Sequence, residues 1–140
     1  MIVFMVCVRS VLGQNMEVDK MVDKRCKDLV EEVFKNRMYE IREMYNSPDQ
    51  NHPEFGRLNE FGLCLDFVEA GTFSDQREDF IRYQLSWGGP QEEFRLYKNG
   101  DVEFWYLDWF DGACVSVNGG DADIIKDICY GVICKHGWYR

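Results

Sequence analysis

The chain has 140 residues, of which 46% are hydrophobic and 15% aromatic. This length predicts a single domain. The composition supplies enough apolar residues for a core that needs neither disulfides nor a bound metal, and it argues against a long disordered segment. The net charge is −9. It is concentrated in residues 54–140, which hold 16 Asp and Glu against 8 Lys and Arg. Such a field repels nucleic acid and attracts basic protein surfaces, although many proteins are acidic for solubility alone.

The chain opens on an apolar run, MIVFMVCV, that is closed by Arg9. The run lacks the basic segment of a signal peptide and is too short to cross a membrane. We therefore expect residues 1–15 to be an apolar N-terminal extension that is loosely attached or not native, with translation starting at Met5 or Met16. Residues 16–140 are expected to form one domain.

Residues 16–46 predict one long helix, because apolar residues recur there at steps of three and four while charged residues fill the other positions. Neither Pro nor Gly interrupts this pattern. The turn-rich stretch NSPDQNHP, residues 46–53, is expected to end the helix.

The middle of the chain predicts β-strands with short connections. Alternating apolar residues mark five segments, at 61–71, 79–87, 92–98, 101–109 and 113–117. Asn99-Gly100 predicts a hairpin with a type I′ turn, since that turn needs positive φ at both central positions. Asp111-Gly112 predicts a second turn.

A second helix is predicted at 121–134, with Asp121 or Gly120 as its cap. The order of helix, strands and helix gives the fold class α+β. We expect a long N-terminal helix, a four- to five-stranded antiparallel meander and a C-terminal helix, in two layers with the helices on one sheet face. The other sheet face is then left to solvent or to a partner.

The segment EFWYLDWFDGA, residues 103–113, places large rings on both faces of its strand. Only one set of side chains can face the helices, so the other set is expected on the open face, where Arg82, Gln84 and Arg95 join it. Trp, Tyr and Arg dominate binding hot spots. The alternative is a strand buried on both faces, beneath the N-terminal segment or in a dimer.

The six cysteines and two histidines show neither a CxxC pair nor zinc-ligand spacing. We expect reduced thiols in a cytosolic protein, with a disulfide framework as the alternative. The acids of DADIIKD, residues 121–127, lack the glycine and the glutamate of a calcium loop. No metal and no cofactor are therefore predicted.

The sequence contains no phosphate-binding loop, dinucleotide fingerprint or nucleophile elbow. His52 and His136 have no evident catalytic partners. Asp108 and Asp111 could form a carboxylate pair of the glycosidase kind, which keeps a small hydrolase or a sugar-binding domain open as a third hypothesis. Both positions are ordinary for turn-forming acids, and we predict that the protein is not an enzyme.

The remaining signal is the acidic residues themselves, which cluster around the strands and at the start of the last helix. Carboxylates on a sheet, about 6.6 Å apart along a strand and about 4.8 Å apart between strands, can imitate the phosphates of DNA. Aromatic residues among them would supply desolvated anchors. The candidate partner-binding residues are Asp75, Glu78, Asp79, Glu92, Glu93, Asp101, Glu103, Asp108, Asp111, Asp121 and Asp123, with Trp105 and Trp109 as anchors.

The strings AGTFSDQREDFIRYQLSWGGPQEEFRLY (70–97) and EFWYLDWFDGA (103–113) resemble small acidic proteins of phages and mobile elements, of the anti-CRISPR kind that inhibits type I systems. The resemblance covers roughly residues 60–118. It implies a DNA mimic that occupies the target-DNA channel of a surveillance complex. It carries over no catalytic residue, and residues 1–50 add nothing to it.

Residues and resemblance together predict a non-enzymatic inhibitor that binds a basic nucleic-acid channel of a host CRISPR surveillance complex. The partner is then a basic protein surface, with no direct contact to nucleic acid or membrane. The protein is expected to be a monomer in the cytoplasm of a host bacterial cell. The alternative is an acidic immunity or antitoxin protein that caps a basic toxin, and composition does not separate the two hypotheses.

Overall fold

The computed structural model describes residues 4–7 and 25–138. The α-helices of this part of the chain are α1 (Cys26–Tyr45), α2 (Gly119–Ile128) and α3 (Tyr130–Lys135). The main sheet contains β1 (Phe4–Cys7), β4 (Cys64–Val68), β5 (Phe80–Ser86), β6 (Gln91–Tyr97), β7 (Val102–Asp108) and β8 (Asp111–Val117). A small ribbon of β2 (Asn51–His52) and β3 (Gly56–Arg57) follows α1, flanked by 3-10 turns at Pro48–Gln50 and Leu58–Glu60.

The main sheet has the strand order β1-β8-β7-β6-β5-β4. Strands β4 to β8 follow one another in sequence and pair antiparallel, so the predicted α+β fold with its meander is confirmed. The sheet has one strand that was not predicted, because β1 lies parallel to β8 with Phe4 opposite Asp111 and Cys7 opposite Cys114. The expectation of a loosely attached segment is therefore wrong for Phe4–Cys7, which pair with β8. That residues 1–15 are not native stays a prediction.

Acidic side chains hold the start of helix α1. Asp111 Oδ2 accepts a hydrogen bond from the Cys26 N–H at 2.8 Å, and Asp28 Oδ2 accepts one from the Arg25 N–H at 3.1 Å. Backbone N–H groups at a helix start have no intrahelical partner, and negative charge there is favourable. The predicted helical residues 16–24 lie outside the described residues.

Helix α1 covers strands β7 and β8 with one apolar face. Val30 and Met38 are fully buried on this face, at helical spacing. The Phe34 ring packs against Phe94 and Phe104, with ring centroids 6.4 Å and 5.6 Å away. These rings place the core between the helices and one face of the sheet, as predicted.

The hairpin at Asn99-Gly100 is confirmed, but its turn differs from the predicted type I′. Gly100 has a φ of 98°, whereas Asn99 keeps a negative φ. The Gly100 N–H donates to the Tyr97 carbonyl at 2.9 Å, and the Tyr97 N–H donates to the Asp101 carbonyl at 2.9 Å. This is a three-residue loop in which one glycine in the left-handed region completes the turn.

The turn between β7 and β8 lies two residues earlier than predicted. Asp108 pairs directly with Asp111, so Trp109 and Phe110 form the turn and Asp111-Gly112 begins β8. Trp109 has a φ of 53°, a conformation that bulky side chains rarely adopt. The prediction of a turn at Asp111-Gly112 was wrong because the pairing register overrides the turn preference of that dipeptide.

The predicted C-terminal helix is two helices. The N-cap position of helix α2 is Asn118, not Asp121 or Gly120, although the Asn118 side chain makes no capping hydrogen bond, and the helix ends before Cys129. At Cys129 the backbone turns to φ −89° and ψ 6°, and α3 begins at the next residue. Cys129 is fully buried at this corner, so the bend lets both helices pack on the same core.

The thiols are only partly as predicted. Cys26, Cys64, Cys129 and Cys134 are free. Cys114 is disulfide-bonded, and the prediction of reduced thiols is therefore wrong for this residue. None of the helices in the described residues combines the length and the apolarity that crossing a membrane requires.

Candidate functional site

The sheet face that points away from the helices, here called the open face, is covered at its centre. The loop between β4 and β5 brings Phe73 over this face, where its ring stacks with Phe80 at 6.4 Å. Trp105, in the centre of the face, is buried. The prediction of an exposed aromatic face is therefore wrong at Trp105. Strand β7 is buried on both faces there, beneath a loop of the same domain.

Buried charges lie beneath this loop. Arg95 is 4% exposed, and its guanidinium carbon lies 4.1 Å from the Trp105 ring centroid and 4.5 Å from that of Phe80. Its Nε donates to Glu93 Oε2 at 2.6 Å, and Gln91 Nε2 donates to Glu93 Oε1 at 2.5 Å. Glu93 has no exposed surface. The prediction that Glu93 is an exposed partner-binding acid is therefore wrong, because Arg95 pairs with its carboxylate inside the protein.

The guanidinium of Arg95 is not fully satisfied. Among the buried side-chain atoms of residues 25–138, Arg95 Nη2 and Tyr83 Oη have no hydrogen-bond partner. The neighbouring Arg82 differs, because Nε and Nη2 donate to the two oxygens of Asp66 at 3.0 Å and 2.7 Å. An unpaired buried donor is uncommon in a native fold and calls for an explanation.

Glu92 points to the opposite face of the sheet and is also removed from the exposed acids. Its two oxygens accept hydrogen bonds from Arg37 Nε at 2.5 Å and Arg37 Nη2 at 3.1 Å. Glu92 is buried, and its hydrogen bonds raise the pKa of the Arg37 guanidinium. This pair joins helix α1 to β6, so charge reversal at Glu92 would disrupt the core contact between helix and sheet.

Two further candidate acids accept hydrogen bonds from helix α1. Asp111 accepts the N–H of Cys26 at the start of α1. Asp121 Oδ1 accepts a hydrogen bond from Arg42 Nη1 at 2.9 Å, which ties α2 to α1. These contacts give Asp111 and Asp121 structural roles. Asp108 lies half-buried opposite Asp111.

The other candidate acids gather at one end of the sheet, around the β4–β5 loop, the β6–β7 turn and the start of α2. We call this set the acidic end: Asp75, Glu78, Asp79, Asp101, Glu103 and Asp123. A cavity of about 380 Å³ is lined by Asp75, Glu78, Asp101 and Glu103 together with Trp105. A second cavity of about 500 Å³ adjoins Asp101 and Asp123. Basic side chains with exposed surface are fewer here: Arg77, Lys98 and Lys126. Arg95 also lines the first cavity but is buried and paired with Glu93.

Hydrogen bonds order parts of the acidic end. Asp79 Oδ1 accepts the Ala70 N–H at 2.7 Å and closes the base of the β4–β5 loop. Trp105 Nε1 donates to Glu103 Oε1 at 3.1 Å. Burial and then the Glu103 carboxylate raise the pKa of the Tyr97 hydroxyl. Asp75 and Glu78 are exposed and take part in none of the ion pairs found within residues 25–138.

Exposed rings gather at the opposite end of the sheet. Trp87 is 74% exposed and Trp109 is 77% exposed, and Phe110 beside it is also exposed. Strands of seven residues separate the two ends by about 20 Å. The predicted surface of interleaved acids and aromatic anchors is therefore divided: Trp109 lies far from the acidic end, and Trp105 is buried.

A cleft of about 300 Å³ separates the two exposed tryptophans, and we call it the tryptophan cleft. Its lining includes Phe73, Arg82, Trp87, Arg95, Leu107 and Trp109. Phe73 and Arg95 also line the cavity at the acidic end, so they form the wall between the two spaces.

A carboxylate pair for hydrolysis or sugar binding is expected to line a pocket. The cleft beside Trp109 is lined by neither Asp108 nor Asp111. In the part of the chain that the structure describes, no group of three or more His, Cys, Asp or Glu side chains could hold a metal ion. Comparison with protein-family models, with curated protein sequences and with solved structures found no match to this chain.

Sequence reasoning missed the loop that covers the open face. Phe73 is the one large apolar side chain in the polar stretch AGTFSDQRED, residues 70–79. An isolated ring in such a loop indicates a hydrophobic contact with the domain, which is the signal that could have predicted the cover over Arg95.

Proposed function

We propose that the protein is a non-enzymatic inhibitor whose acidic end binds a basic, nucleic-acid-binding channel of another protein. The resemblance of residues 60–118 to anti-CRISPR proteins selects a type I CRISPR surveillance complex as the partner. In this proposal the carboxylates occupy positions that phosphates of target DNA would take, and the protein does not itself contact nucleic acid.

The observation that supports this proposal is the sorting of the acids by location. Glu92, Glu93 and Asp121 are paired with arginines within the fold, and Asp111 binds the start of helix α1. The six carboxylates of the acidic end lie around two adjoining cavities and outnumber the three basic residues that have exposed surface there. A surface of one sign raises the rate of encounter with a surface of the opposite sign.

The test is a competition for DNA. Purified type I surveillance complexes are given labelled target duplex, with and without this protein, over a salt series. We expect the protein to displace the duplex at low salt, and we expect displacement to weaken steeply as salt screens the carboxylates.

Two results would count against the proposal. Binding to the complex without loss of DNA would place the contact outside the DNA channel. Absence of both binding and displacement at low salt would reject the surveillance complex as partner. Capture of a basic toxin by the same surface would then replace the inhibitor hypothesis.

A further inference from the structure

The tryptophan cleft differs in charge from the rest of this acidic molecule. Of the residues that the structure describes around it, none carries a carboxylate, and two carry guanidinium groups, Arg82 and Arg95. The net charge of the whole chain is −9. A largely apolar cleft that contains guanidinium groups and no carboxylate in this lining would suit a ligand of different chemistry from the basic partner of the acidic end.

One of the residues that line the cleft, Arg95, carries a hydrogen-bond donor without a partner. Arg95 is buried and its Nη2 has no acceptor, which is costly for a charged group. Its charge is balanced by Glu93 and that of Arg82 by Asp66, so the cleft needs an acceptor more than it needs a counter-ion.

An acceptor with negative charge has one favourable approach to Arg95. On the far side of Phe73, the cavity at the acidic end is lined by carboxylates, among them Asp75 and Glu103, and these repel an anion. On the near side, the cleft presents no carboxylate within the described lining. An anionic oxygen is therefore expected to reach the guanidinium through the tryptophan cleft.

The walls of the cleft are two exposed indoles held on adjacent turns. Trp109 keeps a φ of 53°, a conformation that is strained for a bulky side chain and that persists where surrounding structure or function requires it. Its ring is 77% exposed, so burial of the ring does not compensate for the strain. Exposed flat rings on both sides of a cleft suit a flat apolar ligand.

We propose that the tryptophan cleft binds a small organic anion with a flat ring body. The ring lies between Trp87 and Trp109, and the anionic oxygen accepts a hydrogen bond from Arg95. Trp87 and Trp109 lie about 20 Å from the acidic end, whereas Phe73 and Arg95 border both spaces. The proposal goes beyond the inhibitor function and does not depend on it.

The test uses three probes with the same ring and different charge: 2-naphthoate, 2-naphthamide and 2-naphthylmethylammonium. Each is titrated into the full chain while the indole N–H signals of the four tryptophans are followed by NMR. We expect 2-naphthoate to bind about tenfold more tightly than the neutral amide, and the cation to bind most weakly. The signals of Trp87 and Trp109 should shift, whereas that of the buried Trp138, which packs in the core on the helix side, should not.

Variants separate ring from charge. Trp87→Ala and Trp109→Gly should each weaken 2-naphthoate about tenfold or more. The double variant Glu93→Gln/Arg95→Gln replaces the buried ion pair by two neutral side chains, and it should bring 2-naphthoate to the affinity of the amide. Asp123→Lys is the control and should leave the affinity within about twofold, because Asp123 lines neither the tryptophan cleft nor the cavity that Arg95 borders.

Equal affinity for the anionic and cationic probes would overturn the proposal. So would shifts that omit Trp87 and Trp109. Loss of binding in Trp109→Gly with an intact NMR spectrum would support it, since this variant removes the ring and relieves the backbone strain.

Discussion

At the scale of single residues, Trp109 shows a conflict between backbone preference and side-chain use. It occupies the first position of a two-residue turn, where a positive φ favours glycine. Its indole is largely exposed, so the side chain contributes little to the core. Sequence rules for turns predicted the neighbouring Asp-Gly dipeptide instead, because they weigh backbone preference and carry no information on binding.

We predict that Trp109→Gly raises the free energy of unfolding by about 1 kcal/mol, because glycine adopts this φ without steric cost. Chemical denaturation measures the change. Phe110→Gly is the matched control: Phe110 has no positive φ, so glycine there should lower stability by about 0.5 kcal/mol through chain entropy. A loss of stability in both variants would show that the Trp109 indole is structural.

The buried thiols predict how stability responds to alkaline pH. Burial raises the pKa of Cys129 to about 12. A thiol whose pKa is raised by folding stabilises the fold fully below the ordinary thiol pKa, and this contribution is lost as pH rises towards the folded value. The free energy of unfolding should therefore fall between about pH 9 and pH 12.

Cys129→Ala should reduce the slope of this fall by up to about 1.4 kcal/mol per pH unit, because the variant lacks a thiol that loses its proton on unfolding at alkaline pH. Urea denaturation at a series of pH values measures the slope. Cys134→Ala, which removes an exposed thiol of α3, is the control. An unchanged slope in Cys129→Ala would contradict the assignment of alkaline lability to this residue.

At the scale of elements, hydrophobic periodicity predicted the parts that bury one face against the core. Strands β4 to β8 and the described part of α1 follow alternating or helical patterns, because a strand or a helix with one buried face must repeat at its own period. The loop over the open face and the break at Cys129 depend on contacts between distant residues. Periodicity contains no record of such contacts.

The acids of β6 show the same limit. Glu92 and Glu93 are adjacent on a strand and therefore point to opposite faces. Each is buried with an arginine, Arg37 on helix α1 and Arg95 on the open face. Sequence reasoning placed both on the surface because acids are rarely buried unless paired. The partner of Glu92 is distant in sequence, whereas the two-residue spacing of Glu93 and Arg95 could have indicated their pair on one face of β6.

Arg37 and Arg42 allow a direct comparison of buried and exposed ion pairs on one helix. Arg37→Ala leaves the buried Glu92 without its partner and should lower the free energy of unfolding by about 3 kcal/mol. Arg42→Ala breaks a pair with Asp121 in which both side chains are partly exposed, and it should cost less than about 1 kcal/mol.

Thermal or chemical denaturation of the two variants side by side checks the difference. Glu92→Gln in the Arg37→Ala background should recover part of the loss, because it removes the unpaired charge. Equal effects of Arg37→Ala and Arg42→Ala would show that the Glu92 pair is solvated and that β6 does not depend on it.

At the scale of the whole molecule, residues close in sequence serve opposite ends of the sheet. Glu103 and Trp109 belong to one short segment, yet an extended strand carries them about 20 Å apart. The sequence therefore predicted the acidic and aromatic residue types of the surface correctly. It did not show that the acids and the exposed rings lie at opposite ends of the sheet. The acidic end and the tryptophan cleft are separate surfaces with different expected ligands.

We propose that the location of the acids, and not net charge alone, determines binding to the surveillance complex. Two double variants test it, Asp75→Lys/Glu78→Lys at the acidic end and Glu31→Lys/Glu32→Lys on the exposed side of α1. Each substitution adds two charges, so both variants change the net charge from −9 to −5. The quantity to measure is the concentration of each variant that displaces half of the labelled duplex from a type I surveillance complex.

The account predicts that the variant at the acidic end needs about tenfold more protein than the wild type, while the helix variant stays within about twofold. Circular dichroism of both variants controls for folding. Equal losses in the two variants would contradict this proposal, because displacement of the duplex would then depend on net charge alone. The acids would then serve solubility.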